Sequence, residues 1–487
     1  VLGGADNDSL VAGAGTDTLL GEAGNDTLVA DATGTASLVG GDDNDSFVFS
    51  SGTQLFNNTV VGGHGNDTLV LTEAALISDI HLAGMSGVEV IQASSLAGNT
   101  IGVGVNAQAG GVTSLFGGVA SDSLSAAEMT NGNIWIQGNE VSGSSTLGDT
   151  LMAGAGTSKA TLVGNNNAKA KNYLQISTGS LLGNNSIFGG VNSEDYLELT
   201  SFDSQTVTDA SFKNVKNIDR FIYNNLNEKN ITLASNAEAA FAGDTIYIEA
   251  YDTSYVSDII DLSGVLTKKA YVDLSSQIGG SIIIAGKNQN TLLGGQKADG
   301  DSSAPNALTW NMSASNGSDS LLGGADGNLF QIKNGANLQY SFIQGVQADT
   351  YTDSNANGIA EVAEVLTNDL NGNGVWDAGD TFTDANGNGT WDAAEVLTND
   401  LNGNGVWDAG DEFTDANGNG TWDATEFVAD YNSNGILDAG LDTIQLLAGA
   451  QTLGDGAFTN VSSIERFVLG SATNGNSLTL GTTAAAK

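Results

Sequence analysis

The apolar positions of this chain arrive in short bursts. In its first seventy residues or so they close units of nine: Gly3-Gly4-Ala5-Asp6-Asn7-Asp8-Ser9-Leu10-Val11 is followed in register by units starting at Ala12 and Gly21, and further copies start at Gly40 and Gly62. In each copy a glycine- and Asx-rich turn of about six residues leads into a short strand. One large apolar side chain per strand (Leu10, Leu19, Leu28, Phe47 or Leu69) is left to point inward. Such a unit cannot bury its face alone, so neighbouring units must stack. From about Glu73 to Thr350 short alternations of Val, Ile, Leu and Thr recur between glycines without a helical period, which predicts strands. The phrase acid-(Thr/Ser)-apolar returns at Asp122, Asp149, Asp244 and Asp319 and suggests degenerate turns of the same kind, their acids expected to lie in solvent. Whether this region is one solenoid or several small β domains stays open.

Three longer stretches look alike. One runs from Asp67-Thr68-Leu69 to Gly87-Val88-Glu89-Val90-Ile91 and Asn99-Thr100-Ile101, one from Asp195-Tyr196-Leu197 to the segment Asn214 to Phe221 and Asn230-Ile231-Thr232-Leu233, and one from Asp442-Thr443-Ile444 to the segment Asn460 to Phe467 and Ser477-Leu478-Thr479-Leu480. The last begins directly after a block of different character, so that block, roughly Tyr351 to Leu441, reads as an insertion into a continuous β body. The expected division is 1–72, 73–350, 351–441 and 442–487.

The nonapeptides resemble the RTX repeat, G-G-x-G-x-D-x-(apolar)-x. That resemblance implies a parallel β-roll with calcium ions between its turns, two nonapeptides per coil, glycine carbonyls as ligands and the sixth-position aspartate as another. Carried across, those aspartates are Asp8, Asp17, Asp26, Asp45 and Asp67, with Asp8 and Asp26 on one edge and Asp17 on the other. Asp6 and Asp43 replace the third glycine, Ala12 the first and Glu22 the second.

Inside the insertion a pattern Asp-x-Asn-x-Asn-Gly occurs six times, and residues 365–395 and 396–426 are near-identical. It resembles the EF-hand loop, whose ligands come from positions 1, 3, 5, 7 (by carbonyl), 9 and 12, with glycine at 6. The first loop supplies Asp353, Asn355, Asn357, Ile359, Glu361 and Glu364. The second supplies Asp369, Asn371, Asn373, Val375, Asp377 and Asp380, and the third Asp384, Asn386, Asn388, Thr390, Asp392 and Glu395. The fourth has Asp400, Asn402, Asn404, Val406, Asp408 and Asp411, and the fifth Asp415, Asn417, Asn419, Thr421, Asp423 and Glu426. The sixth has Asp430, Asn432, Asn434, Ile436 and Asp438, but Leu441 stands where a closing acid belongs, unless Asp442 substitutes. Alternate oxygens in a tight loop converge on one hard cation, and asparagine at two positions predicts affinities suited to calcium on the order of 0.1–1 mM. Start-to-start spacing of 15 or 16 residues leaves no room for flanking helices, so the array is similar to loop-only calcium repeats of dockerin or thrombospondin type. Trp376, Trp391, Trp407 and Trp422 are expected to form its apolar spine.

Charge sharpens this picture. The 487 residues carry 57 acidic against 14 basic side chains, a formal net charge of −43, and between Lys333 and Arg466 there is no Lys or Arg at all. Nucleic acid and anionic membranes are poor partners for such a chain. Zero Cys excludes disulfides and thiolate chemistry, and 66 Gly with one Pro suit tight turns between many strands. No apolar run is long enough to span a membrane, no cleavable leader is visible, and both ends look like cut ends. No catalytic motif is legible, and neither His64 nor His81 has a second histidine at ligand spacing.

The fold expected is therefore all-β: a parallel β-roll or β-solenoid body with a loop-rich calcium-binding insertion lacking long helices. The function expected is non-enzymatic: a secreted, extracellular or cell-surface structural protein, folded and assembled by several calcium ions as surface-layer RTX proteins are. Its expected partners are further copies of itself in an oligomer, lattice or filament, with a cell-surface polysaccharide as a further candidate. A calcium-stiffened adhesin stalk, or the tail of a secreted enzyme or toxin, are the competing readings.

Overall fold

A computed structural model describes residues 1–96, 98–138, 148–154, 158–168, 170–223, 227–251, 258–275, 281–293, 309–311, 319–323, 329–332, 341–345, 350–351, 365–368, 381–383, 397–399, 412–413, 427–429, 442–447, 452–464, 466–469 and 477–482. Their architecture is that of a parallel β-solenoid, in two compact units: Val1–Tyr251 with Asp261–Val272, and Asp252–Ile260 with Asp273–Lys487.

In the first unit the bursts of apolar residues become rungs. Strands Ser9–Val11, Thr27–Val29, Ser46–Phe49, Thr68–Leu71, Val90–Gln92, Ser114–Phe116, Asn133–Gln137, Lys159–Val163, Ser186–Phe188 and Val215–Lys216 form one ten-stranded parallel sheet. Their central residues stack in register as an apolar column: Leu10, Leu28, Phe47, Leu69, Ile91, Leu115, Ile136, Leu162, Ile187 and Val215. All ten are buried. A facing column of Ile77, Ile101, Leu124, Leu151, Leu174, Leu197, Phe221 and Ile248 closes the core from another wall. Each buried Leu or Ile contributes roughly 2 kcal/mol of gross hydrophobic stabilisation, so the columns hold the coils together axially. The alternation of buried and exposed positions on each short strand follows from the two-residue period of extended chain.

The column also explains why the nine-residue period fades. Leu10 to Leu28 is 18 residues, two nonapeptides, whereas Ile187 to Val215 is 28. Short helices at Gly52–Phe56, Val105–Gly110, Gly179–Leu182 and Ser235–Ala240 lengthen the later coils.

In the second unit Leu292, Leu321, Ile343 and Val461 stack in register, as do Phe330, Ile444 and Phe467. Strand Leu329–Ile332 therefore lies directly against Thr443–Leu446, although more than a hundred residues separate them in sequence. Within that interval strand Thr350–Tyr351 pairs antiparallel with Phe427–Ala429, Val365–Asn368 with Thr381–Thr383, and Leu397–Asn399 with Glu412–Phe413. The last two pairs are each joined by twelve residues, the length of one predicted loop.

The three look-alike stretches share a local architecture. Strand Leu76–Ile77 leads to a 3₁₀ turn at Asp79–Leu82, strand Gln205–Val207 to one at Asp209–Phe212, and strand Thr452–Leu453 to one at Asp455–Phe458. The first residue of each turn reaches the next coil. Asp79 Oδ1 accepts from the Gly104 and Ala107 amides at 2.7 and 2.9 Å, and its Oδ2 from Asn106 at 2.8 Å, capping helix Val105–Gly110. Asp209 does the same for Ser235–Ala240 through Ala234, Asn236 and Ala237, and Asp455 accepts from Gly481. Further on, each copy holds one residue in the left-handed region at the same position: Gly87 at φ 62°, Asn217 at 58° and Ser463 at 50°. Asp79→Ala leaves three amides without acceptors and is expected to lower unfolding free energy by about 3 kcal/mol, measured by urea denaturation in calcium.

Candidate metal centre

The turns that precede the ten-stranded sheet carry the nonapeptide aspartates on one edge. Each strand begins one residue after its aspartate, and pleating turns the carboxylate into the roll rather than toward solvent. The backbone N–H of Asp8 donates to Asp26 Oδ1 at 2.7 Å, that of Asp26 to Asp45 Oδ1 at 2.9 Å, that of Asp45 to Asp67 Oδ1 at 2.7 Å, and that of Asp67 to Glu89 Oε2 at 2.8 Å. One residue earlier an asparagine column runs the other way: Asn7 Oδ1 accepts from Asn25 N–H, Asn25 from Asn44 and Asn44 from Asn66. Every coil is thereby bonded to its neighbours in both directions.

The second carboxylate oxygen is what the ladder leaves over. Oδ2 of Asp26, Asp45 and Asp67 is buried with no hydrogen-bond partner. Each faces the first glycine of its own turn. A methyl group on Gly21 would collide with Asp26 Oδ2 and the Gly40 carbonyl, one on Gly40 with Asp45 Oδ2 and the Gly62 carbonyl, and one on Gly62 with Asp67 Oδ2 and the Gly87 carbonyl. Further carbonyls line the same turns, that of Glu22 against Gly41, Gly41 against Gly63 and Asp43 against Gly65. The donor set is thus one carboxylate oxygen with backbone carbonyls from successive coils, all hard oxygen, which fits calcium and not a soft metal. Among the described residues no group of three or more acidic or histidine side chains converges as a metal cluster, because here the main chain supplies most of the oxygens.

Electrostatics favour a cation at this edge. Burial pushes the Asp45 carboxyl up to about 6, against the Asp26 amide that holds it down, and the charges of Asp67, Asp26 and Asp43 add to the rise. Asp67 is raised by burial and by Glu89. Both carboxylates are uncomfortable as anions until a positive charge joins them.

The departures from the repeat keep its backbone. Glu22 and Asp43 adopt φ of 81° and 75°, the left-handed region that glycine otherwise supplies at Gly4, Gly24 and Gly65. The opposite edge is poorer. Asp17 accepts only from Gly13 N–H, and the register places Ala36, which has no side-chain oxygen, beside it. Asn58 follows, accepting from the Ala36 amide.

The ligand residues of the insertion, from Asp353 to Asp438, lie outside the described residues, as do the four tryptophans. Asp442, the substitute considered for the sixth loop, sits buried at the head of strand Thr443–Leu446, beside Gly345 and the Ser463 carbonyl.

Residues 1–32 and 55–71 match, in four copies, the family model of the RTX calcium-binding nonapeptide repeat. These N-terminal coils are RTX calcium-binding repeats. No curated protein matches the chain. Calcium is accordingly the cofactor of the RTX coils, and it would lie where the Oδ2 atoms and glycine carbonyls meet.

One expectation is overturned downstream of the RTX coils. Asp122, Asp149 and Asp319 are not solvated; all three are buried, and only Asp244 is exposed, paired with Lys269. Asp122 and Asp149 belong to a second ladder, on the facing wall that carries Ile101, Leu124, Leu151, Leu174 and Leu197, in which Asn99 N–H donates to Asp122 Oδ1, Asp122 N–H to Asp149 Oδ1, Asp149 N–H to Asn172 Oδ1 and Asp195 N–H to Asp219 Oδ2; Asp319 accepts in the same manner from Asn290 N–H. The acid-(Thr/Ser)-apolar phrase was the signal. Its irregular spacing, set by variable coil length, hid the ladder.

Two outcomes are expected. Asp45→Ala removes the carboxylate from its rung and orphans the Asp26 amide, so equilibrium dialysis should register fewer bound calcium ions and the RTX coils should melt earlier; an unchanged stoichiometry would exclude this assignment. Burial raises the Asp149 carboxyl to about 6 and that of Asp195 to about 7, above the unfolded value of 3.8. A raised carboxyl stabilises the fold when protonated and loses that contribution as pH climbs through the folded value. Stability of the coils around Asp195 should therefore fall by roughly 2 kcal/mol between pH 5 and pH 8. Asp195→Asn should flatten that profile in thermal unfolding followed by circular dichroism.

Proposed function

We propose that this is a secreted, calcium-dependent structural protein without catalysis of its own, a subunit of a bacterial surface layer or filament. The observation that carries the reading is the column of buried, partnerless Oδ2 atoms at Asp26, Asp45 and Asp67 in a chain of net charge −43. At the low calcium of a cytosol those carboxylates repel one another and the RTX coils stay open, a state suited to export; outside, millimolar calcium neutralises them and couples binding to folding. The five better loops of the insertion would add about +10 of charge if each takes one divalent ion. Repetition supports assembly, since successive coils present the same kind of outer surface at a fixed axial interval. Among the described residues no helix is long and apolar enough to cross a membrane.

A calcium titration followed by sedimentation velocity tests both halves of the proposal. In millimolar calcium the chain should compact and then form large particles that a chelator disperses. A compact particle that stays monomeric at every concentration would replace the lattice subunit with an adhesin stalk or a calcium-stabilised tail. Compact β structure unaffected by chelator would remove the folding trigger.

A further inference from the structure

We propose that calcium dependence stops within the unit Val1–Tyr251: the coils through Asp67 need calcium, whereas the rungs from Asn99 to Asp195, a second ladder of the same kind on the facing wall, are satisfied by their own hydrogen-bond donors. The inference rests on the calcium reading of the RTX coils and adds a boundary to it.

One oxygen differs between the rungs of the two ladders. At Asp26, Asp45 and Asp67 the inner Oδ2 has no donor. At Asp122 it accepts from Gly118 N–H, at Asp149 from Asn165 Nδ2 at 2.9 Å, and at Asp195 from Ser193 Oγ at 2.9 Å. At the intervening rungs the carboxylate is itself replaced by an amide. Asn99 Nδ2 donates to the Ser94 carbonyl at 2.9 Å, and Asn172 Nδ2 to the Asn165 carbonyl at 3.2 Å and to Asp195 Oδ1 at 2.7 Å. Protein N–H and O–H groups thus stand where a cation would otherwise be required.

Two copies of the look-alike module make the substitution explicit, because they share one cradle. A methyl on Gly62 would meet Asp67 Oδ2 and the Gly87 carbonyl; a methyl on Gly189 would meet Asp195 Oδ2 and the Asn217 carbonyl. Gly87 and Asn217 are the left-handed residues of their copies. Gly87 has no side chain, so the oxygens of its cradle face one another without a donor. Asn217 has one, and its Nδ2 donates to the carbonyls of Gly189 and Gly190.

A resident cation makes the same point on another wall. Lys229 is fully buried, and its ammonium donates to the carbonyls of Asp203 at 2.9 Å and Asn227 at 2.7 Å. Lys268 similarly reaches the carbonyls of Phe241 and Gly243. Carbonyl oxygens of adjacent turns are here gathered by a side-chain charge that no chelator can withdraw.

The consequence is a chain with a permanent segment and a calcium-gated one in the same unit. Hydrogen exchange with mass-spectrometric readout on the full chain, in calcium and in excess chelator, tests it. Strands Ser9–Val11, Thr27–Val29, Ser46–Phe49 and Thr68–Leu71 should lose protection in chelator by at least about 100-fold, while Ser123–Ser125, Thr150–Met152, Lys171–Ile176 and Glu194–Leu199 keep theirs. Joint loss in both groups would overturn the boundary while leaving the calcium reading intact. Retention in both would overturn the calcium reading and the boundary with it. A reciprocal exchange of donors adds a gain-of-function arm. Gly87→Asn, at a φ that asparagine tolerates, should lower the calcium stoichiometry by one ion and preserve protection of Thr68–Leu71 in chelator. Asn217→Gly with Ser193→Ala, prepared in calcium, should make protection of Glu194–Leu199 newly sensitive to chelator. If neither exchange moves the sensitivity in its stated direction, the donors are not what sets the boundary.

Discussion

The structure depends on one hydrogen bond made again and again: the backbone N–H at the head of a strand donating to the side-chain oxygen at the head of the strand in the following coil. Short parallel strands have little pairing of their own, and slipping one by a residue would turn its apolar side chain outward. A side chain that reads the neighbouring main chain fixes the register before the core is complete. Aspartate and asparagine suit the position because their oxygens sit at the right reach and tolerate the turn that precedes the strand.

That bond uses one oxygen of a carboxylate and leaves the other buried. A buried carboxylate oxygen without a donor costs roughly 1–3 kcal/mol or more, and a column of them adds mutual repulsion. The chain answers in two chemistries. In the glycine-rich coils the turns are bare enough for backbone carbonyls to crowd around the leftover oxygen, and that all-oxygen lining suits a divalent ion. In the longer coils Asn165, Ser193 and Asn217 fill the equivalent space with donors. Glycine content and metal dependence therefore track each other for a physical reason: a side chain that donates takes up the room an ion would occupy.

Much of this was legible in the sequence. The nonapeptide phase placed Asp8 and Asp26 on one side, since two units of nine make one coil; the structure adds Asp45 and Asp67 to that side although they follow at 19 and 22 residues. The strand content followed from the alternation of Val, Ile and Thr. What could not be read was any feature whose spacing varies. Asp122, Asp149 and Asp195 precede Leu124, Leu151 and Leu197 of the facing wall by two positions, as the RTX aspartates precede the inward residues of theirs, yet the coils between them differ in length, so a period search loses them and their polarity suggested exposure instead. The asparagine column from Asn7 to Asn66 was also passed over, because asparagine in a glycine-rich turn already has a local explanation and gives no hint of a partner one coil away.

The left-handed residue of the three modules carries a last implication. Gly87, Asn217 and Ser463 share a torsion angle but no side-chain chemistry, so the likeness of the modules here lies in the direction the main chain bends and not in the letters that bend it. Kinship among solenoids of this kind should then be sought by aligning the sites where φ changes sign, which would pair modules that residue matching treats as strangers.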